Sequence, residues 1–459
     1  MRIQIVLLGL VGLLLSCSTQ ETVDADKVIE NVGVITMDND GKVLQNRTVF
    51  IKDDQIVRIV TADQAGIPET ASRIDGEGKF LIPGLSEMHA HIPSGDAEQE
   101  YVEDVLFLYL SNGITTIRGM LGEPSHLDLQ KQAAQNEIVS PRVYTSGPGF
   151  SGESVDSLEH ARQRVRDQHE AGYDFLKIFP GLTLEEYNAI AEEANKVGIE
   201  FSGHVPASVG LERAIEAGQT TIDHLDKYME ALAGDTLDTE EVEDPGVIYF
   251  GMHAVPYVDR SRVPEVAKMT AESGTWNVPT QALLEHVLGT DPPEELAERP
   301  EFQYMPNETV EQWIDSKKSI TGHDIYTEEL AKEYLRLRRD MIKALHDAGA
   351  DLLLGSDAPQ IFNVPGFSVH HELRYIVNSD LTPYQALRTG TYNTAKYLDD
   401  LENSGTIAEG KVADMVLLES NPLDDISNSN NIAGVMYRGN WLSREDIDKR
   451  LESIAKKHQ

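Results

Sequence analysis

At 459 residues, with 40% hydrophobic and 25% charged residues, the chain is long enough to bury a large core and has the composition of an ordinary soluble globular protein. Its 39 basic against 77 acidic residues give a formal net charge of −38, a surface that repels phosphate backbones and argues against nucleic acid as a partner. Cys17 is the only cysteine, so an intrachain disulfide and a cysteine metal centre are both excluded.

Residues 1–16 read as an export signal. Arg2 precedes an apolar run from Ile3 to Leu15 that is too short to span a bilayer by itself. Its end, Leu14-Leu15-Ser16-Cys17, resembles the lipobox of bacterial lipoproteins. The resemblance implies cleavage before Cys17, acylation of that residue, a membrane contact through the lipid, and a location in the bacterial cell envelope. Residues 17–24 then form a polar tether.

From residue 25 to 81 the pattern is short and β-like, with strands around Val28-Ile29, Val32 to Ile35, Thr48 to Ile51 and Ile56 to Val60, parted by Asn/Asp/Gly turns. Residues 401–445 show a matching set at Gly405-Thr406-Ile407, Ala413 to Leu418 and Val435 to Gly439. Neither part is large enough for its own core. The two are therefore expected to pair as one composite β-sandwich, followed by a C-terminal helix over 446–459.

Between them, over 82–400, the signal alternates. Strands are expected at 85–91, 115–118, 142–145, 175–179, 200–204, 220–224, 275–279 and 351–355, with helices such as 183–197 and 328–348 between them. Strands alternating with helices in this number predict an α/β fold, a (β/α)8 TIM barrel. An open doubly wound sheet fits less well, because no Gly-rich phosphate turn follows the first strand. The stretches 229–268 and 288–323 exceed normal connections and are candidate lid or substrate loops.

Six side chains stand within or at the ends of those apolar runs. His89 and His91 are alternate residues of one strand, so both imidazoles face the same way and could share an ion. Lys177 lies inside Phe175-Leu176-Lys177-Ile178-Phe179. Desolvation lowers an amine's pKa, and a neutral amine reacts with carbon dioxide to give a carbamate whose two oxygens suit bridging two cations. The same lysine could instead pair with Asp174 or snorkel out of the barrel end. His204 and His224 would be neutral imidazole ligands for a second ion. Asp357, after Leu352 to Ser356, reads as a buried carboxylate that ligates an ion and accepts the proton of a water, or as a cap on the next turn. His370 and His371 could line the pocket or begin a helix. His126, His160, His169, His253, His286, His323, His346 and His458 carry a default surface reading.

These residues sit in motifs that resemble the amidohydrolase superfamily, in its imidazolonepropionase-like and prolidase-like dipeptidase branch. The likeness runs through Leu81 to Leu85 before His89, Gly113 to Arg118, Asp174 to Ile178, Gly355 to Ala358, and the tail from Gly405 to Ile407 and Gly410 to Asp414. It implies two divalent ions, zinc in the first place. His89, His91 and Asp357 would hold one, His204 and His224 the other, and N6-carboxylated Lys177 would bridge them. Imidazoles with a carbamate also accept manganese or cobalt. Tyr228 resembles a tyrosine that contacts substrate in relatives, and Tyr228, Arg118 and His370 are the candidate substrate contacts. Two features depart from the family: Gly119, not aspartate, follows Arg118, and the loop Ser146 to Ser151 holds no histidine.

The implied activity is hydrolysis of the C–N bond of a small-molecule amide, a dipeptide or N-acyl amino acid. A hydroxide bridging the ions attacks, and Asp357 carries the proton to the leaving nitrogen. Alternatives are a cyclic amide, lactone or phosphotriester hydrolase on the same site, or a non-catalytic metal-binding lipoprotein. An oligomer is compatible with all of these.

Overall fold

The computed structural model describes residues 23–38, 41–64, 66–95, 97–238, 246 and 249–458. Cys17, the export segment and most of the tether lie outside them. Among the described residues no helix is long and apolar enough to cross a membrane.

The Val/Ile-rich start of the chain forms β1 (Lys27–Ile35), β2 (Val43–Lys52), β3 (Gln55–Thr61), β4 (Ser72–Asp75) and β5 (Phe80–Pro83). Then the connections change from hairpins to crossovers. β6 (Leu85–Ala90), β7 (Ile114–Gly119) and β8 (Arg142–Thr145) make one parallel sheet. β9 (Phe175–Ile178), β10 (Glu200–Gly203), β11 (Thr221–Asp223) and β12 (Trp276–Val278) make another. All six residues of β6 and all four of β9 are buried, as parallel strands covered on both faces must be. Helices Gln99–Ser111, Pro124–Ala134, Leu158–Ala171 and Leu184–Val197 fall between successive strands. The last starts with a capping box on Thr183 and ends at left-handed Gly198, so the pattern over 183–197 was readable from its terminal residues. Parallel bridges Ser146↔Phe175 and Phe150↔Ile178 join the two sheets. Asn277↔Leu352 and Ala90↔Ala358 carry the pairing through residues 352–358 back to β6.

The protein is thus a mixed α/β fold with parallel sheets. The expected eighth strand, 351–355, is an irregular segment with a single bridge. Its backbone turns from Asn277, which receives the N–H of Leu353 at 2.8 Å, to Met88, whose N–H reaches Leu354 O at 2.8 Å. Among the described residues, the two long stretches hold helices Tyr228–Ala233, Val263–Ser273, Pro293–Ala297 and Asn307–Thr321.

β13 (Met415–Leu418), β14 (Ile432–Tyr437) and β15 (Asn440–Ser443) complete the first sheet, in the order β15-β14-β13-β5-β1-β2-β3 with β4 on β1. Both ends of the chain therefore share one eight-stranded sheet. At its far edge, Ile56 donates to Lys411 O at 2.8 Å and Ala413 donates to Asp54 O at 2.7 Å, which brings β3 round to the segment before β13. Ile29, Val34, Val49, Leu81, Leu417 and Met436 belong to the apolar cluster this encloses. Gly405-Thr406-Ile407 is not a strand. Gly405 takes φ +77°, and a Cβ there would meet Ala395 Cβ at 2.5 Å, so the residue serves close packing rather than pairing. Leu417→Ala, deep in the shared cluster, should lower stability by about 2–5 kcal/mol in chemical denaturation, and an unchanged unfolding midpoint would show that the two ends do not depend on each other.

Candidate metal centre

Strand ends deliver the polar groups. Asp357 N donates to His89 O at 3.0 Å and His91 N to Ala358 O at 2.7 Å, so the Asp357 turn lies alongside the end of β6. Gly355 makes the approach possible: a Cβ would stand 2.5 Å from Val278 Cγ1 and 2.9 Å from His89 N. His91 Nε2 then lies 2.6 Å from Asp357 Oδ1, and His89 Nε2 lies 3.5 Å from the same oxygen. These three side chains form a group able to hold a metal ion. The His224 ring lies 4.6 Å from the rings of both His89 and His204, with its Nδ1 3.8 Å from Asp357 Oδ2. Lys177 is fully buried on β9 with its Nζ 3.7 Å from Asp223 Oδ2. Its stem passes Gly203, whose φ of +118° and missing Cβ leave the space that a side chain would take from Lys177 Cδ, 2.7 Å away. The structure therefore brings His89, His91, Lys177, His204, His224 and Asp357 to one place.

The electrostatics follow from burial. Burial, and then the neighbouring Lys177 charge, push the His89 pKa well below its ordinary value; burial and then His89 do the same to His224. Both are neutral imidazoles with a lone pair to offer, the form in which histidine binds metal. Burial also pulls Lys177 down, against the attraction of Asp223 and Asp357. Burial would push Asp357 up, but the hydrogen bond from His91 Nε2 and the attraction of Lys177 hold the carboxyl well below the usual range.

Two observations test whether the group suits a cation. Lys177 Nζ and His89 Nδ1 are buried with no hydrogen-bond partner, although His89 Nδ1 lies 2.9 Å from Asp223 Oδ2. Buried polar atoms are rarely left so. Two imidazoles with a carboxylate also match the donor preference of zinc-like ions. The residues fit.

The outer partners were not legible in the sequence. Asp226 Oδ2 accepts from His204 Nδ1 at 2.8 Å, and Thr280 Oγ1 lies 2.8 Å from His224 Nδ1. Glu87 Oε1 takes the N–H of His89 at 3.0 Å and of Ser356 at 2.8 Å. Full burial pushes the Glu87 pKa up to about 8. Asp223, the most consequential omission, sits between Lys177 and His89.

The three expected substrate contacts have interior partners. Arg118 is buried beneath the cluster and spent on interior partners: Met88 O at 2.8 Å, Tyr397 OH at 3.0 Å and Thr221 Oγ1 at 3.1 Å. Tyr228 is buried with its hydroxyl 2.7 Å from Asn277 Oδ1. His370 bonds Ser429 Oγ at 2.9 Å and Asn112 O at 3.2 Å. Each has the polar partners that burial demands, which leaves little to offer a ligand. Asp174 is not the partner of Lys177, for its carboxylate takes Thr145 N at 2.7 Å and Gln130 Nε2 at 2.9 Å. The surface reading also fails for His126, His253 and His286, all buried. Beside His204 opens a cleft of about 280 Å³ lined by Val205, Asp226, Lys227, Glu230 and Phe250.

The Amidohydrolase family profile matches residues 80–442. The chain belongs to the amidohydrolase family. It is 24% identical to the ochratoxinase of Aspergillus niger, covering 88% of this chain and 83% of that one. It is also 24% identical to the imidazolonepropionase of Idiomarina loihiensis, over 85% and 90% of the two chains. The crystal structure of a putative prolidase from Bifidobacterium longum superposes with a TM-score of 0.66 at 23% identity, covering 93% and 98%. That likeness shows a shared fold. In this amidohydrolase, Asp226→Asn would replace the carboxylate that orients His204. It should weaken zinc binding about 10- to 100-fold in competition with a chromophoric chelator, and unaltered affinity would remove His204 from the ligand set.

Proposed function

We propose that this amidohydrolase is a metal-dependent hydrolase of the C–N bond in a small amide, a dipeptide or N-acyl amino acid. The observation that carries the reading is the convergence of four imidazoles and a carboxylate around a buried amine with no hydrogen-bond partner. We read the parallel strands with the 352–358 segment as a (β/α)8 barrel over residues 82–400, and the shared sheet as a composite sandwich from 25–81 and 401–445. The names of the ochratoxinase and imidazolonepropionase relatives and the family match support hydrolysis at carbon–nitrogen bonds.

His89, His91 and Asp357 would hold one ion, His204 and His224 a second, and carboxylated Lys177 would lie between. Bound ions, zinc in the first place, supply Lewis acidity toward the scissile carbonyl and the attacking water. The chain does the rest. Asp357 stays anionic at neutral pH, because its hydrogen bond with His91 opposes the effect of its burial, and that is the form able to take up the water's proton. Once protonated it can donate that proton to the departing nitrogen. Asp226 and Thr280 fix the ring orientations of His204 and His224. Phe250, its ring 5.0 Å from that of His224, screens the imidazoles from bulk water. The cleft beside His204 would receive the substrate, and the modest exposure of His91, 17% of its side chain, gives the reacting carbonyl access to the group.

A zinc-loaded preparation assayed on dipeptides, N-acyl amino acids and lactones tests the reading. Amide turnover is expected, with Asp357→Asn lowering kcat by about 10²- to 10⁴-fold. Lactone opening without any amide turnover would overturn the substrate class. Lys177→Ala should lose metal and activity together, with partial recovery on adding a short carboxylic acid; parent-like metal content in that variant would end the bridging role.

We further propose that Cys17 is acylated after export. Cys17→Ser would then move the protein from the membrane pellet to the soluble fraction, and an unchanged distribution would rule the anchor out.

A further inference from the structure

Asp357 carries φ +65°, a left-handed geometry that a non-glycine residue keeps only where its surroundings over-determine it. The peptide before it is clamped from two sides. Glu87 accepts both the N–H of Ser356 at 2.8 Å and its hydroxyl at 2.5 Å. On the other side, the Asn363 amide nitrogen donates to the carbonyl of Ser356. The helix Gln281–Leu288 and the stretch after it supply what fixes that amide. Asn363 Oδ1 lies 2.7 Å from His286 Nδ1, and His286 Nε2 lies 2.9 Å from Arg299 Nη1.

The proton positions in this chain follow by elimination. A guanidinium only donates, so His286 Nε2 must be the bare nitrogen and Nδ1 must carry the proton. Nδ1–H then requires the oxygen of Asn363, which leaves the Asn363 nitrogen for Ser356. The order Arg299 to His286 to Asn363 to Ser356 has one consistent direction. Asn363 and His286 are buried, with Asn363 fully so. Burial, and then the charge of Arg299, pull the His286 pKa down to about 3, so the ring stays neutral over any working pH. Arg299 also reaches His371 Nδ1 at 3.4 Å, and His371 Nε2 faces Glu301 Oε1 at 3.5 Å. Arg299 and Glu301 stand at the start of the 3-10 segment Pro300–Tyr304, midway along the insertion between β12 and the helix Glu328–Ala348.

We propose that Asn363 is a positioning residue for Asp357, oriented by the Arg299–His286 pair, so that the insertion after β12 sets the geometry of the proton carrier. The proposal rests on the reading of Asp357 given above. A buried network that served stability alone would also suffer from an unsatisfied partner, but it would leave kcat of the folded enzyme unchanged. A positioning chain instead needs a donor at one end of residue 286 and an acceptor at the other.

The variants His286→Leu and His286→Gln separate these cases, since glutamine keeps one donor and one acceptor end and leucine has neither. They are compared with Asn363→Leu and Asp357→Asn in zinc-loaded enzyme, on the fastest dipeptide or N-acyl amino acid substrate of the parent. Asn363→Leu and His286→Leu should lower kcat about 10- to 100-fold with KM within about twofold, as expected when a reacting group is misplaced. His286→Gln should recover most of the rate. Zinc affinity by chelator competition should fall about 10-fold in the two leucine variants, a readout that needs no turnover. Equal loss in His286→Gln and His286→Leu, a rise in KM at constant kcat, or parent-like rates and affinity in Asn363→Leu would each overturn the proposal. Full activity in Asp357→Asn would overturn the reading of Asp357 itself, and inactivity there beside an unaffected Asn363→Leu would overturn only the positioning role.

Discussion

Burying an ammonium away from water costs several kcal/mol unless it is paired or loses its charge, and Lys177 is buried completely with no hydrogen-bond partner for its Nζ. The groups around it are arranged to that constraint. His89 and His224 cannot hold protons of their own beside it, and the nearest compensating carboxylate, Asp223, stays 3.7 Å away. Asp223 is in turn occupied from behind, with Thr221 Oγ1 at 2.8 Å and Arg118 Nη2 at 3.6 Å from its Oδ1. Arg118 is therefore the base on which the polar layer rests. A guanidinium placed low in this interior neutralises the floor of the site.

The second constraint is backbone geometry. His224, Leu225, Lys227, Thr280 and Asp357 all have φ between +46° and +65°. Each non-glycine residue there costs roughly 1–3 kcal/mol, and the bonds that offset it are visible. Buried Arg338, from the helix Glu328–Ala348, donates to His224 O at 2.5 Å, Pro279 O at 2.7 Å and Gln281 Oε1 at 2.9 Å. Glu372 accepts the N–H groups of Gln281 at 2.9 Å and Ala282 at 2.5 Å, satisfying the first turn of the helix Gln281–Leu288. One long helix and one buried carboxylate thus hold the turns that follow β11 and β12. Those turns aim His224 across at His89 and Thr280 back at His224.

What could be read from the sequence was the part with a local signature. A short apolar run that carries His, Lys or Asp is visible without a structure, and five such runs meet in space. Capped helices such as Leu184–Val197 were legible for the same reason. Asp223 was missed because period-two alternation would place it on the opposite face from His224. The strand stops at Asp223, and the left-handed His224 turns back toward the cluster. His286 was given to the surface because it falls in a helical pattern, but seven of the eight residues of Gln281–Leu288 are buried, and a helix enclosed on all sides has no solvent face to betray. The irregular 351–355 segment looked like a strand because its leucines are as buried as any strand's. Its hydrogen bonds, shared between Asn277, Met88 and Thr389, depend on neighbours distant in sequence.

The shared sheet bears on the site through a single glycine. Gly84 alone separates β5 from β6, the strand that carries His89, and its N–H is received by Asp414 O at 2.8 Å. A Cβ at Gly84 would fall 2.0 Å from Thr115 Oγ1, so β6 can leave the sheet only along that path. The Asp414 carboxylate meanwhile takes the N–H of Arg438 at 2.5 Å and lies 3.2 Å from Arg142 Nη2 on β8. One acidic residue just before β13 thereby ties β5, β8 and the end of β14 together. Contacts this distant in sequence are slow to form, because the intervening chain must first lose its freedom. The last strands of the chain to be made therefore close the framework on which its first two histidine donors stand.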